Sequence, residues 1–376
     1  MSHANIIDDP RMTRHLIAQG RFRDDPLRII DVGARYGAED HWVLFGDQAH
    51  ILGFEADAEE AERLNALSHP VPTRYYPVAL FGDQGEHTFY LTRFNASCGF
   101  YRYDPAWWTR LGQMGNVAVT GTTTLDTVDL DGFLKDAGSR DPDFMKLDVE
   151  GAELDILQAG TRTLNSVIGL SLETFFGPVL DQPPFHRVDG FLQEQGFELF
   201  DLDLKRFRRT VLPEISPFAD EHGNPVSGPS RTGQVVSADL LYLRDAVTEL
   251  EREDVTGSHP FWNRSRLLKL AALYEIHGLQ DCAIELLTVA SRRKLLAENE
   301  DLQQLLDLAT PLHKGEVQSY ESCLKRVKEG DDPYRETGSE LLWRGVRLWI
   351  HEHLPAAAVT SLKSTLASVR RLLKRS

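Results

Sequence analysis

Short apolar runs alternate with amphipathic stretches along the first two thirds of the chain. Apolar runs bounded by turn signals predict buried strands, and the stretches between them show the three- and four-residue spacing of helices. Strands that alternate with helices are typical of βαβ units, so the predicted fold class is α/β. The predicted strands are Leu27–Val32, Ile51–Glu55, Tyr75–Leu80, Phe144–Asp148, Val167–Glu173, Phe197–Asp201 and Ala238–Leu243.

Four segments depart from this alternation. Residues 1–26 predict a short N-terminal amphipathic helix. Between the third and fourth strands, Gly85–Thr92 alternates like a strand, and the aromatic piece Tyr101–Trp108 predicts a lid or a wall. Pro213–Ser230 is rich in Pro, Gly and Ser and predicts an irregular loop before the last strand.

From about Glu249 the strand patterns vanish, and Leu, Ala and charged residues recur at helical spacing. Residues 27–248 and 249–376 are therefore predicted as an α/β domain and an all-α domain. One part of the second resembles a tetratricopeptide hairpin in its spacing, but no second clean copy is found, and a plain helical bundle stays an equal alternative. The matching positions are Leu267, Leu270, Ala271, Tyr274, Gly278, Ala283, Leu287 and Ala290.

A glycine turn follows the first strand, in the run Asp31-Val-Gly33-Ala-Arg-Tyr-Gly37. Glycines permit positive φ and a close approach of the backbone to a ligand. The turn lacks the Gly-x-Gly pair of the dinucleotide fingerprint, and a carboxylate at the strand end repels a pyrophosphate. The same carboxylate attracts the ammonium group of S-adenosylmethionine. Glu55 ends the second strand 24 residues later, where an acid typically binds ribose hydroxyls.

A second motif occupies residues 143–153, where an apolar strand ends in acidic residues before a glycine and a helix. Strand alternation places Lys146 and Asp148 on one face, where they can form a buried ion pair. Asp148 and Glu150 stand at the strand-to-helix switch, and Glu173 ends the next strand at the same edge. These three carboxylates are the predicted catalytic residues, because carboxylates at such an edge can remove a proton from a bound substrate.

The neighbouring candidates carry competing interpretations. Glu153 is interpreted as a helix cap, as is Asp57 after the second strand. Three clustered acids make a divalent metal possible, but their spacing is not diagnostic and no metal ligand is predicted. Residues expected to bind the acceptor are Lys146, Asn95, Ser97 and His186, with Trp107 and Trp108 as possible stacking surfaces for a sugar ring.

Charge and composition narrow the class of partner. The formal net charge of −16 opposes binding to nucleic acid, which needs a basic patch. Three widely spaced cysteines fit neither a disulfide framework nor a metal cluster. The first residues lack an apolar signal region, and no apolar run approaches the roughly 20 residues of a membrane span. We therefore expect a soluble, cytoplasmic protein.

Together these motifs resemble the FkbM family of S-adenosylmethionine-dependent methyltransferases over about residues 27–245. The resemblance is carried by residues 31–37, 54–56, 124–126 and 146–153, although Ala56 stands where a proline is common. It implies a seven-stranded Rossmann-like methyltransferase sheet with a reversed last strand, and O-methylation of a hydroxyl on a sugar, glycan or natural product. The cofactor-binding residues it implies are Asp31, Gly33, Ala34, Arg35, Tyr36, Gly37, Glu55, Ala56 and Ala79.

Two other functions stay open from the sequence alone. A nicotinamide-dependent dehydrogenase would have the same alternation of strands and helices, but the missing Gly-x-Gly pair disfavours it. A cofactor-binding scaffold could act through residues 249–376, which are also the expected surface for a homo-oligomer or a protein partner. The expected acceptor is a small molecule or a carbohydrate.

Overall fold

The fold is described from a computed structural model. It divides into two compact units, residues 1–214 with 229–298 and residues 215–228 with 299–376, each described by itself. The structure describes residues 6–112, 114–139, 141–212, 218–219, 225–226, 229–230, 232–252, 259–297, 301–313 and 315–331.

The strands and helices follow the chain in mixed order. The strands are β1 (Leu27–Val32), β2 (Ala49–Phe54), β3 (Thr73–Tyr76), β4 (Ala79–Leu80), β5 (Gly85–Thr92), β6 (Arg102–Tyr103), β7 (Val119–Val128), β8 (Phe144–Leu147), β9 (Gly169–Phe175), β10 (Val179–Leu180), β11 (Glu198–Phe207), β12 (Phe218–Ala219), β13 (Pro225–Val226) and β14 (Gln234–Leu243). The α-helices are α1 (Arg11–Ala18), α2 (Ala58–Asn65), α3 (Pro105–Arg110), α4 (Met114–Val117), α5 (Leu130–Asp136), α6 (Glu153–Ala159), α7 (Thr161–Leu164), α8 (Phe185–Glu194), α9 (Ala246–Arg252), α10 (Arg264–Ile276), α11 (Gln280–Arg292), α12 (Leu302–Ala309) and α13 (Tyr320–Lys328), and 3₁₀ turns span Asp40–Gln48 and Asn95–Ser97.

A seven-stranded sheet forms the centre of the first unit, in the order β11-β14-β9-β8-β1-β2-β3. Its strands pair in parallel from β9 to β3, whereas β14 runs antiparallel to both β9 and β11. The carboxyl ends of β1, β2, β8, β9 and β11 therefore lie at one edge. The predicted mixed α/β fold with a large sheet is confirmed.

The main core packs helices onto one face of this sheet. Strand residues such as Ile30, Met145 and Leu240 contact the apolar stripes of α5, α6 and α8. These strands are apolar on both sides because parallel strands are covered on both faces. Burial of this kind contributes about 25 cal/mol for each Å² of apolar surface, so the core holds the sheet edge in place.

The strand predictions differ from the structure mainly in length. The predicted strand Tyr75–Leu80 is wrong as a single element, because β3 ends at Tyr76 and β4 joins a different sheet. Val78 turns the chain by donating its N–H to the Tyr76 carbonyl. Strand β11 is twice as long as predicted because its outer half alternates charged and apolar residues.

The insertion between β3 and β8 folds into a layer of its own. Strand β5 matches the predicted strand and pairs in a three-stranded sheet of order β4-β7-β5. The aromatic piece forms β6 and α3, and β6 pairs with β10 beyond the end of β9. Tyr103, Trp108 and Phe175 meet there in a second apolar cluster, which attaches the insertion to the carboxyl edge of the main sheet.

Helices α10 and α11 lie in the same compact unit as the sheet. They are joined through Gly278, whose φ of 77° ends α10, and Ala271 and Ala283 are fully buried in them. Their relation to tetratricopeptide repeats and the domain boundary at residue 248 stay predictions. The predicted loop 213–230 lies mostly, and the predicted helical stretch after residue 331 wholly, outside the described residues.

A buried ion pair fastens α10 to the sheet. The Lys269 side chain is 0% exposed, and its Nζ lies 2.8 Å from Asp143 Oδ2 and 2.9 Å from Asp25 Oδ2. Asp143 stands directly before β8 and also accepts a hydrogen bond from the Arg28 N–H.

Within the described residues, no helix is long and apolar enough to span a bilayer.

We predict that Lys269→Met lowers the free energy of unfolding by about 3 to 5 kcal/mol, because it leaves buried Asp143 without its ammonium partner. Urea denaturation measures this loss. The control is Lys135→Met in α5, where the side chain is exposed and we expect little change. Equal effects of the two substitutions would contradict the role of the buried pair.

Candidate active site

The glycine turn after β1 is shaped by a close backbone contact. Gly33 and Gly37 have φ values of 74° and 94°. The N–H groups of Gly33 and Ala34 both donate to the Phe54 carbonyl at 3.0 Å. A Cβ on Gly33 would lie 2.0 Å from the carbonyl oxygen of Asp148. Only glycine fits here, and the turn is held against the end of β8.

Lys146 joins the two motifs electrostatically. Its Nζ lies 3.2 Å from Asp31 Oδ1 and 3.6 Å from Asp148 Oδ2, and it donates to the Gly33 carbonyl at 3.1 Å. The predicted Lys146–Asp148 ion pair is confirmed. Burial opposes these charges, but the attraction outweighs it: the pKa of Lys146 is raised, and Lys146 and Lys205 hold the pKa of Asp148 below its usual range.

Glu55 lies at the end of β2 as predicted. It is buried, and its Oε1 accepts the N–H of Asp57 at 2.9 Å. Burial raises the pKa of Glu55, although this hydrogen bond and Arg35 work in the opposite direction. Arg35 lies 4.0 Å from Glu55 and 3.4 Å from Asp57. Asp57 accepts the N–H groups of Glu59 and Glu60, so its predicted capping role is confirmed.

The remaining predicted cofactor residues surround this turn unevenly. Tyr36 has a φ of 73°, is largely exposed, and donates its N–H to Glu60. Ala56 stands between Glu55 and the cap of α2 and is partly buried. Ala79 is buried in β4 and pairs with Thr127 of the insertion sheet. Their contact with a cofactor stays a prediction.

Glu39 is a site residue that sequence reasoning missed. Its side chain is only 11% exposed two residues after Gly37. Burial and the charge of Asp31 raise its pKa to about 7, against the attraction of Lys146. The sequence shows an acidic residue two positions after Gly37. However, Glu39 lies outside any predicted strand, so the strand pattern could not predict that its side chain lies in the site.

Three predicted catalytic carboxylates do come together. Asp148, Glu150 and Glu173 each place one oxygen within 4.8 Å of the others. Glu150 has a φ of 56°, which is rare for a residue with a side chain, and Gly151 follows at 112°. Gly99 of the insertion packs against this turn, since a Cβ there would lie 3.1 Å from the Cβ of Glu150.

Each carboxylate of this cluster has its own partner. Tyr103 on β6 donates its hydroxyl to Glu150 Oε2. Lys205 on β11 lies 2.8 Å from Glu173 and 2.9 Å from Asp239 on β14. These partners were missed because they depend on strand register and on the path of the insertion. Asp239 does stand opposite Glu173 in the antiparallel pair, a relation that appears only once the strands are aligned.

The pKa values of these carboxyl groups move apart. Burial, together with the charges of Glu173 and Asp148, raises the pKa of Glu150 well above its ordinary value, and the Tyr103 hydrogen bond lowers it only in part. Burial also raises the pKa of Glu173, against Lys205. Neighbouring acids with opposite shifts are typical of acid–base sites.

The predicted capping role of Glu153 is wrong, because the N-cap residue of α6 is Ala152 and no side chain caps the helix; Glu153 instead binds the turn that precedes the helix. It is 2% exposed, and its Oε1 accepts the N–H groups of Val149 at 3.1 Å and Gly151 at 3.2 Å. Burial raises its pKa to about 8, although these hydrogen bonds favour the charged form. Glu153 thus shapes the turn that presents Glu150.

The predicted acceptor residues are spread more widely. Lys146 is at the centre of the edge, whereas Asn95 and Ser97 lie in a 3₁₀ turn of the insertion, with Asn95 exposed. His186 lies in the first turn of α8, exposed to solvent. Trp107 is partly buried against Gly177, where its ring would block any Cβ. Their contact with an acceptor stays a prediction.

The side-chain partners of Asp148, Glu150 and Glu173 argue against a metal centre at this cluster. Divalent cations take several oxygen ligands, and three carboxylate oxygens lie close enough to share one. However, Asp148 is paired with Lys146, Glu150 with Tyr103 and Glu173 with Lys205. Because an ammonium or hydroxyl partner already faces each group, we assign none of them as a metal ligand.

The sheet and its acidic carboxyl edge have the arrangement in which α/β proteins bind ligands beyond the strand ends. Residues 31–199 match the family described as the methyltransferase FkbM domain. Over this segment the chain is therefore similar to S-adenosylmethionine-dependent methyltransferase domains of that family.

A curated relative shares part of this domain. The chain is 26% identical over 162 residues to the hexuronic acid methyltransferase AglP of Haloferax volcanii, covering 43% of this chain and 61% of the relative. The chain thus spans about three fifths of the length of that relative.

Solved structures give weaker matches. The magnesium protoporphyrin IX methyltransferase of Synechocystis PCC 6803 with bound SAM is 10% identical, with a TM-score of 0.27 over 62% of this chain and 79% of that one. The N-terminal domain of EvdMO1 with SAH bound is 11% identical, with a TM-score of 0.28 over 64% and 82%. TM-scores below 0.5 support no conclusion about this chain.

We predict that Gly33→Ala destabilises the fold more than Gly46→Ala. Both positions have positive φ, which costs about 1 to 2 kcal/mol for a residue with a Cβ. At Gly46 nothing lies within 4 Å of the added carbon, whereas at Gly33 it would collide with Asp148. Urea unfolding of the two variants measures the difference, and equal losses would contradict the close contact.

Proposed function

We propose that residues 27–248 form an O-methyltransferase that uses S-adenosylmethionine to methylate a hydroxyl of a sugar, glycan or natural product. The observation that carries the proposal is the pair Asp148 and Glu150 on one turn, with pKa values shifted in opposite directions. The sugar class is supported by the name of the relative, a hexuronic acid methyltransferase.

The charges around the glycine turn fit this cofactor. Asp31, Glu39 and Glu55 are all carboxylates, and they suit an ammonium group and ribose hydroxyls. Arg35 and Lys146 are each paired with carboxylates and offer no free positive charge for a pyrophosphate. The same charges disfavour a nicotinamide dinucleotide.

When bound, S-adenosylmethionine supplies a methyl group on a positively charged sulfonium. The chain contributes alignment and proton removal, since a displacement of this kind needs the acceptor oxygen in line. Glu150 takes the hydroxyl proton of the acceptor while that oxygen receives the methyl group. Asp148, kept ionised by Lys146, accepts a hydrogen bond from the acceptor and orients it.

Two features support binding of the acceptor at the same edge. Glu173 is held by Lys205 and faces the turn that carries Glu150. Trp107 offers an aromatic face on the insertion, and aromatic rings pack well against sugar rings. Residues 249–376 are proposed to mediate self-association or binding of a protein partner, and the cytoplasmic location stays a prediction from the sequence.

We predict that Glu55→Gln weakens the binding of S-adenosylmethionine by tenfold or more, which corresponds to about 1.4 kcal/mol. The reason is the loss of a buried carboxylate that faces the expected ribose. Isothermal titration of the full chain with S-adenosylmethionine and S-adenosylhomocysteine measures the change. Glu59→Gln, exposed on α2, is the control. Absence of binding to the unaltered protein would refute the proposed cofactor use and would turn the search to nicotinamide cofactors or protein partners.

We also predict that Glu150→Gln reduces methyl transfer by about 10²- to 10⁴-fold, the usual contribution of a general base. Transfer of a tritiated methyl group to methyl glycosides of neutral hexoses, amino sugars and hexuronic acids measures it. The unaltered enzyme should gain rate as pH rises through the pKa of Glu150, because the base must be ionised, and the variant should lose that rise. EDTA should leave the rate unchanged; a loss would contradict carboxylate activation.

A further inference from the structure

Tyr103 connects the insertion to the turn that carries Glu150. Its hydroxyl donates to Glu150 Oε2, although the two residues are 47 positions apart in the chain. The aromatic piece that contains this residue is predicted only as a lid or a wall, and the proposed chemistry above does not use Tyr103. The contact therefore calls for an explanation of its own.

The tyrosine ring is held from three sides. Tyr103 is 5% exposed, and its ring meets those of Trp108 and Phe175 edge-on at 5.0 and 6.0 Å between centroids. Its backbone pairs with Val179 in the β6–β10 ribbon. A ring packed in this way presents its hydroxyl at a fixed position, so the hydrogen bond fixes the carboxyl group rather than following it.

Glu150 is constrained by its backbone and its neighbours as well as by this hydrogen bond. Its backbone is in the left-handed region at a φ of 56°, and Gly99 of the insertion packs against its Cβ. Tyr103 engages Oε2, so Oε1 is the oxygen outside this hydrogen bond. The carboxyl group is thus held at one oxygen and presents the other.

The surrounding charges explain why a donor is needed here. Glu173 on β9, Asp148 after β8 and Glu153 on α6 all repel a negative charge on Glu150 when they are ionised. The ammonium groups of Lys146 and Lys205 are bound to other carboxylates. A hydrogen bond donated to the ionised form of a carboxyl group favours that form. Tyr103 supplies such a bond without adding a charge.

We propose that Tyr103 is a positioning residue for methyl transfer: it orients Glu150 so that Oε1 faces the acceptor hydroxyl, and it supports the ionised form of that carboxyl. The inference rests on the proposed function, in which Glu150 takes the acceptor proton. It also assigns a role to the insertion, which completes the site from outside the main sheet.

The test compares Tyr103→Phe with Tyr101→Phe. Tyr101 lies two residues earlier and donates its hydroxyl to Asp155 at 2.9 Å, so the control removes the same group from the same segment. With tritiated S-adenosylmethionine and the glycoside panel above, we expect Tyr103→Phe to lower kcat about 10- to 100-fold, the rate equivalent of a hydrogen bond to a charged group. KM and the dissociation constant of the cofactor should stay within twofold of the control. The melting temperature should stay within a few degrees of it.

The pH profile separates positioning from a structural effect. Loss of the hydrogen bond should move the acid limb of kcat to higher pH in Tyr103→Phe only, because Glu150 then ionises less readily. An unchanged limb, or equal losses in the two variants, would overturn the proposal.

An NMR titration that needs no acceptor tests directly whether Tyr103 controls the ionisation of Glu150. Carboxyl resonances of ¹³C-labelled glutamate, with Glu150 assigned through Glu150→Gln, report its titration midpoint directly. A midpoint that rises in Tyr103→Phe supports the inference, and an unchanged midpoint refutes it. If the unaltered protein methylates no glycoside, the proposed function fails, whereas the midpoint still decides whether Tyr103 controls Glu150.

Discussion

The site depends on one ammonium group, that of Lys146, between the ends of β1 and β8. It binds Asp31, Asp148 and the carbonyl of Gly33 at once. Without it two carboxylates would face each other in a buried setting, where repulsion is only weakly screened. With it, the glycine turn and the acidic turn become one rigid surface, and the cofactor and acceptor halves of the site share a common boundary.

The same principle organises the rest of the edge. Glu173 and Asp239 both form ion pairs with Lys205, whereas Glu150 accepts a hydrogen bond from the neutral hydroxyl of Tyr103. Partners that differ in charge leave the carboxyl groups with different proton affinities, although they lie within a few ångströms. One group can then remain an anion while its neighbour exchanges a proton, and this division of roles underlies acid–base chemistry in a crowded acidic site.

The sequence allowed the prediction of what is local. The glycine turn, Glu55 and the cap at Asp57 follow from residues close together in the chain, and strand alternation was sufficient to pair Lys146 with Asp148. Contacts between segments that are distant in the chain could not be predicted from the sequence. Lys205 reaches the site only through the register of two antiparallel strands, and Tyr103 only because the insertion folds back over the strand ends.

The ion pair at Lys269 has a consequence for how the protein can be divided. Its ammonium lies beside Asp143, the residue that precedes β8, and β8 carries Lys146 to the edge. A chain truncated at residue 248 would keep every residue of the proposed site but would lose the only ammonium paired with Asp143 among the described residues. The stretch that carries the proposed chemistry is therefore shorter than the compact unit that contains it, which extends to residue 298.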